Sequence, residues 1–172
     1  SKIRTIISRE KGDFVDVKKY KEKVVSSQME MVSSVWRIYE SDLQNQKAVD
    51  FDDLIVRAVR MLEDHADIRN YYQNRFSYIH VDEYQDTNGA QYAFVKLLIH
   101  PKNTNICAAG DTDQNIYSWR GANIRNIINF EKDFPGTKIV LLEENYRSTG
   151  NILSLANASI KKNTVRQDKK LF

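Results

Sequence analysis

The 172-residue chain is 41% hydrophobic and 28% charged with a formal net charge of +3, the balance of an ordinary soluble protein. No apolar run approaches the roughly 20 residues of a membrane span, and no basic-then-apolar signal peptide opens the chain. A single cysteine, Cys107, excludes a disulfide framework or a cysteine zinc site and points to a reducing, cytoplasmic setting. In the apolar run "NICAAG" it reads as a small buried hydrophobe.

Charge is uneven along the chain. Residues 1–25 carry eight Lys/Arg against four Asp/Glu, and residues 161–172 carry five against one. Such basic flanks suit phosphate backbones, although solvated helix faces are the plainer reading of charge alone.

From residue 18 to about 46 no Gly or Pro interrupts the chain, and Val24, Val25, Met29, Val32, Val35, Trp36 and Tyr39 recur at helical spacing. One long amphipathic helix is expected there. Asp50 then precedes "FDDLIVRAVRMLED" as an N-cap, with Asp53 in the first turn of a second helix. A shorter helix is expected over 67–74.

Three strand-like runs follow, "YIHV" (78–81), "NICAAG" (105–110) and "KIVLLE" (138–143). Helical patterns at about 88–99 and 123–133 separate them, and another begins near 149. This alternation predicts an α/β fold, a parallel sheet covered by helices on both faces, with a separate helical segment at the N-terminus.

In open α/β sheets, ligands bind beyond the carboxyl ends of the strands. Asp82 and Glu83 stand at that place after the first strand. One carboxylate there can hold Mg²⁺ while the next polarises a water. Asp86, Thr87 and Asn88 read equally well as a cap for the following helix, but Asp82 and Glu83 precede the cap. After the second strand, "AAGDTDQNIYSWRGA" (108–122) brings Asp111, Asp113 and Gln114 to the same sheet edge. Gln114 is an uncharged donor and acceptor suited to a terminal phosphate. Tyr117, Trp119 and Arg120 follow in a polar, Gly-flanked loop, which favours a stacking platform for single-stranded nucleic acid over a place in the core. In "LLEENYRSTG" (141–150), Tyr146 can stack on a planar ring and Arg147 can reach phosphate. A surface ion pair of Arg147 with Glu143 or Glu144 is the alternative.

"VDEYQDTN", "GDTDQNIYSWRGA" and "LLEENYRS", in this order, resemble the second, third and fourth motifs of the UvrD/PcrA/Rep branch of superfamily 1 DNA helicases. "VDFDDLI" (49–55) resembles the segment by which that family re-enters its first RecA-like domain. The resemblance runs from the N-terminal helices to about residue 163. It implies that Asp82 coordinates Mg²⁺, that Glu83 activates the hydrolytic water, and that Gln114 contacts the γ-phosphate of ATP and links it to DNA. Tyr117, Trp119 and Arg120 would lie on the single strand, Tyr146 would stack on adenine, and Arg147 would act as an arginine finger. RecB/AddA-like helicase–nucleases usually carry Lys where Asp113 stands and Phe where Trp119 stands, so both positions favour the UvrD/PcrA/Rep side.

None of the six glycines is followed by Lys, so the Gly-Lys-Ser/Thr phosphate loop such an enzyme needs is not in this segment. The resemblance therefore implies an internal piece of a longer protein. Residues 1–47 would end a helical insertion, 48–145 would form the second part of the first RecA-like P-loop NTPase domain, and 146–172 would begin the second motor domain. The implied parent is an ATP-dependent 3′–5′ helicase acting on single-stranded DNA and duplex junctions, monomeric or transiently dimeric, with no membrane partner. The isolated segment is expected to be inactive, and a non-catalytic single-stranded-DNA-binding module is the competing description. In the implied strand order, 105–110 and 138–143 are separated by the strand that carries the phosphate loop. The segment is therefore expected to close that gap, by re-pairing its own strands or by self-association.

Overall fold

The structure, a computed structural model, describes residues 2–102 and 105–162. Helices α1 (Lys2–Gly12), α2 (Val17–Glu22), α3 (Ser27–Asn45), α4 (Phe51–Asp64) and α5 (Ala66–Arg75) precede strand β1 (Ile79–Val81). Then come α6 (Gly89–Leu98), β2 (Ile106–Ala108), α7 (Arg125–Ile128), α8 (Phe130–Asp133) and α9 (Gly150–Ile160). Short 3₁₀ turns cover Tyr84–Asp86, Thr112–Gln114 and Ser118–Arg120.

The long helix expected over 18–46 is two helices. Ser26 adopts an extended conformation and its side chain accepts from the Met29 backbone N–H, starting α3 afresh. A hydroxyl that satisfies an orphan N–H in this way stabilises a new N-terminus, and the β-branched pair Val24 and Val25 just before it favours the break. The fold this allows is compact: α2 returns against α3, and Tyr20 meets Trp36 edge-on at 5.4 Å. Ile7 of α1, Tyr20, Val32 and Trp36 form the helical core.

Helix α4 begins as the sequence predicts. Asp50 accepts from the Asp53 N–H at 2.7 Å, and the Asp53 carboxylate accepts in return from the Asp50 N–H at 3.3 Å, which completes a capping box. Val56, Val59 and Leu62 lie on one face and are buried. Burying side chains of this size contributes about 1.5–3 kcal/mol each.

β1 and β2 pair in parallel, with Ile79 opposite Ile106, His80 opposite Cys107 and Val81 opposite Ala108. Four of these residues are half-buried, whereas His80 and Cys107 are exposed. The alternation leaves one sheet face uncovered among the described residues, which corrects both the two-sided covering and the buried Cys107 expected from the sequence. The run 138–143 is also corrected. It forms no strand, and Ile139, Val140, Leu141 and Leu142 are exposed. A strand exists through its neighbour's hydrogen bonds, and among the described residues β2 pairs with β1 alone. Closure of the gap by intrachain re-pairing is thereby ruled out for this structure. The helix expected over 123–133 is broken into α7 and α8 at Asn129.

No helix of the described residues is long and apolar enough to cross a membrane. Residues 163–172, with Arg166, Lys169 and Lys170 of the basic C-terminal run, lie outside the described residues.

Candidate functional site

The site is built where β1 and β2 end side by side. Past Val81 the chain runs through Asp82 into Glu83, whose backbone is left-handed at φ 50° and ψ 43°. That region is sparsely used by residues with a Cβ and marks a conformation that the surroundings hold in place. Two contacts hold it here: the Asp82 carboxylate accepts from the Glu83 N–H at 2.9 Å, and the Gln85 amide donates to the Glu83 carboxylate at 2.7 Å. Both Asp82 and Glu83 are exposed. They form a hard, oxygen-rich edge at the open end of the sheet.

The exit of β2 is fastened to this turn. The Tyr84 N–H donates to the Ala109 carbonyl at 2.9 Å. Gln85, only 1% exposed, accepts the Asp111 N–H on its side-chain oxygen at 2.9 Å, and its carbonyl accepts the Asn115 amide at 2.5 Å. Asp111 in turn accepts the Gln114 side-chain amide at 2.7 Å and the Asp113 N–H at 2.8 Å. Glu83, Gln85, Asp111 and Gln114 thus form one chain of hydrogen bonds across the two strand exits. A second tie lies below it, where the buried Asn126 amide donates to the Thr87 carbonyl and hydroxyl, both at 3.0 Å.

Burial pushes the Asp86 carboxyl above the usual aspartate value, and the neighbouring Glu83 charge adds to the effect. Asp86 lies half-buried inside the turn, apart from the exposed Asp82 and Glu83, and this position agrees with a structural part. Burial likewise pushes the Tyr84 hydroxyl up to about 12, and the Tyr84 ring packs edge-on against Phe130 at 5.3 Å.

Beyond Gln114 the loop carries Tyr117, Trp119 and Arg120, and all three are exposed. The two rings lie 6.4 Å apart, with the Arg120 guanidinium 4.5 Å from the Trp119 centroid and 5.3 Å from the Tyr117 centroid. Trp119 is 52% exposed, so it is no core residue. Gly121 closes the turn at φ 90°, a conformation that favours glycine. An aromatic pair with an interleaved guanidinium suits successive stacked bases.

Tyr146 and Arg147 are placed in the irregular segment before α9, and their hydrogen bonds are local. The exposed Tyr146 hydroxyl donates to Glu144 at 2.7 Å, and the Arg147 N–H donates to Asn145 at 3.0 Å. The structure brings Asp82, Glu83 and Gln114 into one network and Tyr117, Trp119 and Arg120 into one cluster. It joins Tyr146 and Arg147 to neither through these bonds.

Sequence reasoning missed two features. Gln85 is one, and its signal was an uncharged amide set among the acids of "DEYQD", able to donate and accept at once. Lys11 is the other. Counted as part of a basic flank, it is 6% exposed and contacts Glu40 at 3.0 Å, Asp50 at 2.7 Å and Asp53 at 2.7 Å.

Among the described residues no three His, Cys, Asp or Glu side chains converge as a cage for a metal ion. Mg²⁺ at nucleotide sites needs no such cage, since one or two carboxylates suffice when phosphate and water complete the shell. The exposed Asp82 and Glu83 carboxylates fit that requirement.

A family model for the UvrD/REP helicase N-terminal domain matches residues 1–135. The ATP-dependent DNA helicase PcrA of Staphylococcus epidermidis is 52% identical over 143 residues, which cover 83% of this chain and 20% of that protein. PcrA of Leuconostoc citreum is 46% identical over 167 residues, covering 97% of this chain and 22% of that protein. The chain spans about a fifth of the length of the curated relatives it matches.

Proposed function

The chain belongs to the UvrD/REP helicase family, and from that premise we propose that it is the central part of an ATP-dependent DNA helicase. The parent protein moves 3′ to 5′ along single-stranded DNA and opens duplex junctions. The parallel pair β1–β2 is part of a RecA-like sheet within residues 48–145, residues 1–47 end a helical insertion, and 146–172 begin the second motor domain.

The observation that carries this reading is the hydrogen-bonded chain from Glu83 to Gln114 across the two strand exits. Asp82 would hold Mg²⁺, which would supply charge neutralisation for the phosphates. Glu83 orients and deprotonates the attacking water, Gln114 meets the terminal phosphate, and Arg147 stabilises the charge that develops on it. Tyr146 stacks on the adenine. Tyr117, Trp119 and Arg120 hold the strand. Because Gln114 and this cluster share one loop, a change at the phosphate shifts the surface on which bases rest.

The segment alone contains no Gly-Lys pair and is proposed not to hydrolyse ATP. Its exposed run Ile139–Leu142 makes self-association of the isolated segment part of the same reading. A non-catalytic single-strand-binding module is the second reading, favoured for the isolated segment by the exposed Tyr117, Trp119 and Arg120 cluster. The deciding experiment is Glu83→Gln in the full-length protein, measured for nucleotide binding and for DNA-stimulated turnover. Binding should persist and turnover should vanish; near-normal turnover defeats the proposal.

A further inference from the structure

We propose that Gln85 is a positioning residue for hydrolysis, holding the Glu83 carboxylate and fastening it to the turn that carries Gln114. The inference rests on the reading of Glu83 as the residue that activates water. Its basis is the pair of opposite bonds made by one buried side chain: Nε2 donates to Glu83 at 2.7 Å and Oε1 accepts the Asp111 N–H at 2.9 Å. A primary amide carries a donor and an acceptor side by side and does both at once without titrating.

The neighbouring residues suit that task. Gln85 is 1% exposed, so water does not replace a bond it loses. Gly110 leaves room for it, since a Cβ there would fall 2.6 Å from Gln85 Oε1. The Gln85 carbonyl also accepts from Asn115 at 2.5 Å, just before the loop with Tyr117 and Trp119. Glu83 sits in a left-handed conformation that its own sequence does not favour, so a restraint on its side chain has a definite use. A displacement of the Asp111–Gln114 turn reaches Glu83 through two hydrogen bonds. Gln85 is therefore the mechanical link between the turn facing phosphate and DNA and the carboxylate that faces water. It touches neither substrate itself.

The test uses the full-length protein with Gln85→Leu, which removes both bonds, and Gln85→Met, which also removes both while keeping the length of the side chain. A misplacement of about 1 Å at a reacting group can cost on the order of 10²-fold. Single-turnover hydrolysis with saturating DNA should therefore fall about 10- to 100-fold in both variants. Nucleotide and single-strand dissociation constants should stay within about twofold of the unsubstituted protein, because the ligand contacts are untouched. If Gln85→Leu does not fold, Gln85→Met carries the same expectation alone. Hydrolysis within about twofold of normal in a folded variant overturns the proposal. So does weakened ligand binding with hydrolysis per bound molecule retained, which is the mark of a merely structural role. Glu83→Gln, run in parallel, separates the two ideas. If it is inert while the Gln85 variants are normal, only the link fails; if it is active, the reading of Glu83 fails.

Discussion

Gly110 and Gln85 are in such close approach that a Cβ on Gly110 would come within 2.6 Å of the Gln85 amide oxygen, and within 2.9 Å of Ile127 Cδ1. Position 110 therefore takes no Cβ unless Gln85 or Ile127 shifts. Gly110→Ala should destabilise the two strand exits by about 1–3 kcal/mol, the usual result of overpacking a filled site. Amide exchange of β1 and β2 in the full-length protein should quicken accordingly, and hydrolysis should fall with it. Unchanged exchange would mean that the turn yields without strain.

Trp119 tests the proposed single-strand surface. Trp119→Ala should weaken single-strand binding by about 1–3 kcal/mol, the worth of one stacked base, with little dependence on sequence. Nucleotide affinity without DNA should barely move. Since Trp119 is half exposed, folding should survive the change. Loss of folding with DNA affinity per folded molecule retained would return Trp119 to the core.

Arg147→Ala should reduce DNA-stimulated turnover of the full-length protein by a factor on the order of 10³ if the guanidinium acts as an arginine finger. Its local hydrogen bonding to Asn145 through the backbone leaves the side chain's role open to the rest of the protein. Steady-state turnover at saturating ATP and DNA is the measurement, and a loss of less than about tenfold would remove Arg147 from the chemistry.

What the sequence made legible was local or periodic. The α4 cap could be read because Asp50 and Asp53 lie three residues apart, and the parallel pair because two apolar runs flank one helical pattern. The acidic strand exit was legible because charge after a core strand is anomalous. Three things were not. The break before Ser27 turns on one hydroxyl's choice of backbone partner. Residues 138–143 have strand composition, but a strand needs a neighbour and composition does not supply one. Lys11 meets Glu40 and Asp50, 29 and 39 residues away, and no local pattern announces a contact of that range.

Lys11 also gives the sharpest prediction about stability. Burial alone opposes its charge, yet hydrogen bonds to Asp50, Asp53 and Glu40 hold its pKa above the ordinary lysine value of 10.5. Burial likewise pushes the Asp50 carboxyl up, but the bonds it accepts from Lys11, the Asp53 backbone and Tyr39 outweigh this and hold it below 3.8. Lys11→Met would leave three carboxylates facing one another, Glu40 from α3, Asp50 from the α4 cap and Asp53 from α4. Removing one partner of a buried ion pair costs about 3–5 kcal/mol, and a comparable loss is expected here. The lysine contribution is complete below 10.5 and disappears as pH rises through its higher folded value. The Asp50 contribution is complete well above 3.8 and disappears as pH falls through its lower folded value. Asp52 has the opposite sign, because burial raises its carboxyl and protonation on acidification relieves that penalty. The burial part of the Asp52 effect is common to the unsubstituted and Lys11→Met proteins and cancels between them, whereas the attraction of the Lys11 charge for Asp52 is lost in the variant and adds to the gap in the same sense as Asp50. Urea unfolding read by near-ultraviolet circular dichroism should then show a gap that is widest near neutral pH. The gap should narrow as pH drops below 3.8 and Asp50 takes up its proton. A gap that stays constant from neutral pH into that acid range would show that Lys11 stabilises the helices by packing its alkyl chain, and not by its charge.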